Sequence, residues 1–368
     1  MKRLLLAGGG HAHVFVLEAL ARTRPAGGVE VTLVTPFPRL FYSGMLPGWI
    51  AGHYALDDCA IPLAPLAERA GAKIAFAHLA RLDLDARTAW TESAEPFPFD
   101  LISIDTGPVV DHDQLPGLRE HAITVRPIES LIIEWQRLLA HWRESIDPQI
   151  FTVVGGGAGG VELALAVAHH GHAARFPLRV QLVAGHPGLV PSLPKPVASR
   201  VGEVLRDRDV RVLEDDVTEI ARRTVMLADG GELTTDTTLV ATGAAAAPWH
   251  AAAGLAVDER GFIAVNEYLQ SQSHPFVFAA GDCATMIEHP RPKSGVYAVR
   301  AGPRLAANLL RALQDRQLRA WTPQTSALYL LSLGEKCALA SRGSLRAEGR
   351  WAWRWKDRLD RAFVGRFK

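Results

Sequence analysis

Phe151-Thr152-Val153-Val154-Gly155-Gly156-Gly157-Ala158-Gly159-Gly160-Val161-Glu162 decides the fold. An apolar run meets six small residues, and Leu163, Ala166 and Val167 follow at helical spacing. That order predicts a strand, a glycine-rich turn and a helix, with a further strand over residues 179–183. Such a turn has a chemical use. Its first glycine makes the bend, the second lets backbone approach a pyrophosphate, and the third allows tight helix–strand packing. Free N–H groups at the helix start then hold the anion.

The N-terminus repeats the plan. Residues 2–7 form a short run whose apolar part is Leu4-Leu5-Leu6-Ala7, Gly8-Gly9-Gly10-His11-Ala12-His13 follows, and Val14, Leu17, Leu20 and Ala21 share a helical face up to about Arg22. Gly27-Gly28 then leads into a strand over residues 29–34. The closing segments also match: Asp100 to Thr106-Gly107 in the first unit, and Asp236 to Thr242-Gly243 in the second. Short alternating strands precede each, over residues 80–90 and 218–227. A third strand and turn, Phe276-Val277-Phe278-Ala279-Ala280-Gly281-Asp282, lies beyond both. The expected fold is α/β, with two Rossmann-like dinucleotide-binding domains, the second inserted in the first. Each carries a small β-meander, and a short C-terminal segment follows. The expected boundaries are 1–114 and 247–320 for the first domain, 115–246 for the second, and 321–368 for the C-terminal segment.

The bulk properties agree. The chain has 368 residues, 48% hydrophobic and 21% charged, enough for two or three cores. A net charge of +1 gives no reason to expect nucleic acid. Cys59, Cys283 and Cys337 are odd in number and far apart, which points to a reducing, cytoplasmic setting. No metal site is expected. The first apolar run stops at Gly8, too short for a signal peptide, and no stretch of about 18 apolar residues predicts a membrane span.

These motifs in this order resemble the pyridine nucleotide–disulfide oxidoreductase superfamily over about residues 4–310. No Cys-x-x-Cys-type pair is present, which sets the chain apart from the glutathione reductase type. It is similar to the type II NADH dehydrogenase and sulfide:quinone reductase branch. Phe41-Tyr42-Ser43-Gly44-Met45-Leu46-Pro47-Gly48, Lys293-Ser294-Gly295-Val296-Tyr297-Ala298-Val299-Arg300 and Trp351-Ala352-Trp353-Arg354-Trp355-Lys356 resemble a subgroup. That subgroup is the flavoprotein domain sometimes fused ahead of selenide, water dikinase, of which the resemblance implies that this chain would be the stand-alone form.

The resemblance implies FAD on the first unit, held by Gly8, Gly9, Gly10, His11, Ala12, Thr35, Arg39, Thr106, Gly107, Gly281 and Asp282. Asp282 would meet the ribityl hydroxyls. Lys293, Gly295 and Val296 would lie at the flavin ring, with the helix from Gly295 aiming its positive end at the pyrimidine edge. Gly302-Pro303 is expected to kink or split that helix. NAD(H) or NADP(H) would lie on the second unit, at Gly155, Gly157, Ala158, Gly160, Thr242 and Gly243. Glu162 would sit near the carboxamide; a first-turn glutamate also complements the helix dipole. Lys293 and Glu162 are the candidate catalytic residues. The leading expectation is an FAD-dependent NAD(P)H oxidoreductase that delivers electrons to a quinone-like or small acceptor. Two alternatives stand beside it: a flavoprotein acting on sulfide, selenide or persulfide, and a non-catalytic partner of a selenium-pathway enzyme.

The sequence departs from the pattern in places. His13 takes the place of the third glycine, where packing is the expected reason. Thr35 and Ala184-Gly185 stand where an acid normally binds the adenosine ribose, so NAD versus NADP stays open. His186 is a candidate for a 2′-phosphate. Val296 and Arg300 replace the glutamines of type II NADH dehydrogenases, while Lys293-Ser294-Gly295 resembles the Pro-Lys-Thr-Gly turn of sulfide:quinone reductases. Four prolines predict a loop over residues 187–196. Residues 128–142 read as an amphipathic helix.

Residues 350–368 hold seven Arg/Lys against two Asp. Trp351, Trp355, Leu359, Phe363 and Phe367 recur every four residues, an aromatic stripe opposite a basic face. Such a helix docks on the body of the protein, meets a second copy, or lies peripherally on the inner face of a membrane.

Overall fold

The computed structural model describes residues 1–23, 28–144, 147–343 and 345–368. Gly27 of the expected turn lies outside them. Two five-stranded parallel sheets carry the architecture. The first is ordered Val277–Ala279, Leu101–Ile104, Lys2–Ala7, Val29–Thr35, Ala72–Phe76. The second is ordered Ala122–Thr124, Thr237–Val240, Gln149–Val154, Leu178–Val183, Val210–Leu213. In both, the glycine-rich turn leaves the middle strand. Leu4, Leu5, Leu6, Phe151 and Val153 are buried, as strands covered on both faces require.

The edge strand Val277–Ala279 of the first sheet comes from beyond the whole second sheet. The two crossings meet where Val109 and Ala245 exchange backbone hydrogen bonds of 2.9 and 3.1 Å. Each half carries a three-stranded meander: Leu79–Asp83, Thr88–Thr91, Pro96–Pro98, and Val217–Ala221, Thr224–Leu227, Glu232–Thr234. The amphipathic helix forms as Ile128–Glu144 and buries Leu131, Trp135 and Trp142.

Three expectations need correction. The helix Gly295–Leu313 runs through Pro303 as one element. Its buried face, including Gly302, Leu305, Ala306 and Leu309, extends past the proline, and a Cβ on Gly302 would run into the Phe15 ring. Packing on both sides of Pro303 outweighs the lost hydrogen bond. The proline-rich loop ends sooner than expected, because the helix Lys195–Asp207 takes Pro196 into its first turn, where no N–H is needed.

The third concerns the C-terminal segment. An antiparallel sheet, Tyr329–Ser332, Ala338–Arg342 and Leu345–Gly349, leads into the helix Arg350–Phe367. The expected aromatic stripe does not share one environment: Trp351, Trp355 and Leu359 are 52%, 42% and 47% exposed, while Phe367 is buried. Ala352, Lys356, Asp360, Val364 and Phe367 face inward. The segment straps the two halves together. His53 Nε2 donates to Gly334 O at 2.8 Å, and the Ser332 N–H donates to Glu162 at 2.7 Å. Phe367 meets Phe15 edge-on at 5.0 Å, and Arg366 pairs with Glu18 at 2.7 Å.

Candidate functional site

Gly8, at φ +95°, and Gly10 press against Asp105, the residue after the strand Leu101–Ile104. A Cβ on Gly10 would stand 2.5 Å from both Asp105 O and Oδ1. Asp105 Oδ2 accepts from the N–H groups of Ala12 at 2.7 Å and His13 at 3.0 Å, and so fixes the helix entry. Burial pushes its carboxyl up to about 7. Thr35 is buried at the neighbouring strand end, its Oγ1 3.0 Å from where a Gly9 Cβ would stand.

His13 resolves the missing third glycine. In the second unit, a Cβ on Gly160 would run into the Gly155 carbonyl. In the first, His13 Nδ1 donates to the equivalent Gly8 carbonyl at 2.6 Å, and Nε2 lies 2.8 Å from Ser103 Oγ. Burial lowers its pKa to about 4, so the ring is neutral, with Nε2 as the acceptor. His13 is a turn brace, as the packing expectation held. His11 is different: its Nε2 is buried with no hydrogen-bond partner among the described residues. Burial, with Arg126 nearby, lowers its pKa to about 4. A neutral ring nitrogen left over beside a glycine turn is what a ligand-bearing cradle provides.

Across from the turn, Gly281 (φ +77°) and Asp282 follow the edge strand. Asp282 pairs with Arg126 at 3.3 Å, and burial raises its carboxyl against the pull of Arg126 and Lys293. Arg126 also stands 4.0 Å from where a Gly107 Cβ would lie, beside Thr106, so it reaches both strand-end turns of the first half from the second. Lys293 is committed within the chain: it donates to Ala284 O at 2.6 Å and Thr285 Oγ1 at 2.7 Å, over the Phe262 ring. Thr285 in turn donates to Asp258 at 2.6 Å. Gly295 and Val296 open the long helix, with Gly295 against Ser43. Arg39 is exposed and pairs with Asp57 at 2.8 Å.

In the second unit, Gly155 (φ +128°) packs on Ala241 O, and Gly156 on Gly188 O and Ala184 O, while Gly157 faces open space. Ala158 starts the helix Ala158–Ala174, and Thr242-Gly243 ends the neighbouring strand at the surface. Glu162 lies in the second turn of that helix rather than the first, half-buried, and desolvation pushes its carboxyl up to about 7 despite Lys356 nearby. Lys356 donates to Gly44 O at 2.5 Å and Asp360 at 2.6 Å, and Tyr42 hydrogen-bonds the same Asp360. Tyr42 stacks obliquely on Phe363 at 4.6 Å, and both rings flank His11. A polar cluster of half-buried Tyr42 and Glu162 with buried Lys356 and Asp360 therefore lies between the halves, roofed by the last helix.

The glycine turns, Asp282 and Glu162 were singled out in the sequence. Asp105, Arg126, Tyr42, Lys356 and Asp360 were not singled out, although Asp105, Tyr42 and Lys356 lie in segments quoted above, because their partners meet them only on folding. A carboxylate directly before a Thr-Gly turn was the available signal for Asp105. The thiols stay apart from this chemistry: burial pushes Cys59 and Cys283 up to about 12, and such thiols are inert.

The glycine cradles, the orphaned His11 nitrogen and the interdomain cluster fit FAD on the first unit and a nicotinamide nucleotide on the second. Known proteins agree. The pyridine nucleotide-disulphide oxidoreductase family model matches residues 2–302. An NADH dehydrogenase-like protein of Mycobacterium tuberculosis is 26% identical over 336 residues, 87% of this chain and 83% of that one. The sulfide:quinone oxidoreductase of Aquifex aeolicus superposes with a TM-score of 0.82 at 19% identity, over 100% of this chain and 91% of its own. NDH2 from Plasmodium falciparum, in complex with NADH, gives 0.82 at 12% identity, over 99% and 97%. This chain belongs to the pyridine nucleotide-disulphide oxidoreductase family, and is an oxidoreductase of that FAD-dependent, NAD(P)H-using group.

Proposed function

We propose that this chain is an NAD(P)H dehydrogenase that passes electrons to a quinone or similar small acceptor. The carrying observation is the Tyr42, Glu162, Lys356 and Asp360 cluster, set where the two glycine-turn units face each other. FAD and the nicotinamide, when bound, would supply the hydride and electron chemistry. The chain's own residues orient, exclude water and hold protons. Gly8, Gly10 and His11 would hold the flavin nucleotide, with Asp282 and Arg126 across from them. Glu162, raised to about 7, exchanges a proton near neutral pH at the mouth of the second unit. Trp353, against His53 and Tyr54, helps close the roof. Turnover of NADH or NADPH with a soluble short-chain quinone tests the acceptor. No quinone-dependent rate with either donor would remove that part of the reading.

The outer face of the last helix fits a peripheral membrane role. Trp351, Trp355 and Leu359 are exposed there beside Arg350, Arg354 and Arg358. Tryptophan and arginine together suit an anionic lipid interface. No helix among the described residues is long and apolar enough to cross a membrane. Trp351→Ser/Trp355→Ser should abolish co-sedimentation with anionic liposomes while leaving NADH oxidation intact. Equal partitioning of both proteins would rule the helix out as the anchor.

A further inference from the structure

The second unit lacks an acid at its own strand end, yet a carboxylate stands in that place. The strand Leu178–Val183 runs into Ala184 and Gly185, and a Cβ on Gly185 would lie 2.8 Å from Asp216 Oδ1. Asp216 follows the adjacent strand Val210–Leu213, whose Leu213 pairs with Val183. A carboxylate from the neighbouring strand thus fills the volume that a side chain at position 185 would occupy. We propose that Asp216 binds the adenosine ribose of the nicotinamide nucleotide and makes this site selective for NADH over NADPH. The assignment rests on the reading of the second unit as the nicotinamide site.

Three features support it. Asp216 is held in place but half-exposed: Oδ1 accepts from His186 N at 2.9 Å and Oδ2 from Nδ1 at 3.1 Å. Among the described residues, His186 is its one ion-pair partner, so no arginine or lysine offsets the charge. Asp215 beside it is a brace, accepting from the N–H groups of Asp216 and Asp229 at 2.8 and 3.2 Å. The Asp216 carboxylate can then accept from a 2′-hydroxyl and presents its negative charge to a 2′-phosphate. His186, expected to welcome that phosphate, is tied to the carboxylate that repels it.

Calorimetric titration of the flavin-loaded protein with ADP-ribose and with 2′-phospho-ADP-ribose tests this without hydride transfer. Wild type should bind ADP-ribose at least about ten-fold more tightly, with the gap narrowing as salt rises. Asp216→Asn keeps an acceptor for His186 and should shrink that ratio several-fold; Asp207→Asn, an exposed charge elsewhere, should leave it unchanged. Equal or tighter binding of the 2′-phospho ligand, or an unchanged ratio in Asp216→Asn, overturns the assignment of Asp216. Binding of neither ligand overturns the nicotinamide site itself, and the assignment with it.

Discussion

Lys356→Met should lower the unfolding free energy by about 3–5 kcal/mol, the usual cost of leaving one member of a buried ion pair alone. The lysine and Asp360 are 10% and 9% exposed and 2.6 Å apart, and the ammonium also seats Gly44 O. Without it, Asp360 keeps only the Tyr42 hydroxyl and must be buried charged or take up a proton. Burial already raises the Asp360 carboxyl, and loss of the lysine raises it further. The sign follows. Below its unfolded value, Asp360 is protonated in both states and the penalty is absent. The penalty grows as pH rises towards the folded value and is then constant. Denaturant midpoints at pH 4 and pH 8 should therefore differ far more between variant and wild type at pH 8. Lys356→Met/Asp360→Leu should recover most of the loss. A single variant within about 1 kcal/mol of wild type at pH 8 would mean that apolar contacts alone seat the helix.

Gly10→Ala should yield folded protein that purifies with under about a tenth of the wild-type flavin, since the cradle depends on backbone closeness at this glycine. The added methyl would collide with both Asp105 O and its carboxylate. Neither can yield cheaply. The Asp105 N–H bonds Ala7 O at 2.8 Å in the sheet, and the carboxylate holds Ala12 and His13. Gly159→Ala is the matched control: nothing lies within 4 Å of its Cβ and it sits in a helix. It should keep full flavin and gain about 0.4–1 kcal/mol. The flavin-to-protein absorbance ratio of the two purified variants reads the difference.

These two sites also show what was legible in the sequence. Gly10 belongs to a local motif, where turn geometry and residue type are tied within six positions. Both glycine turns, the meanders and the returning strand at Gly281-Asp282 were readable for that reason. Lys356 ends a segment that carries the subgroup resemblance, but nothing local marks it as buried. Its neighbours Gly44 and Glu162 are brought to it from far along the chain, and a lysine in a helical pattern ordinarily marks the outer face. The aromatic period left open whether Trp351, Trp355 and Leu359 dock on the body, meet a second copy or lie on a membrane, because periodicity does not say what covers a face. The helix is turned so that a paired lysine and aspartate go in and two tryptophans come out. Asp216 escaped similarly, because the missing ribose acid was sought on its own strand rather than the next one. Gly302-Pro303 was expected to kink or split its helix, and the split is absent because of packing against Phe15, which local propensity cannot register.

The central claim is that two dinucleotides meet across the cluster of Tyr42, Glu162, Lys356 and Asp360. The most direct measurement is the visible spectrum of the purified protein before and after anaerobic addition of NADH. The account predicts a flavin band that bleaches with one equivalent of NADH, and bleaches more slowly in Glu162→Ala at unchanged flavin content. A flavin band that NADH and NADPH both leave intact would contradict it.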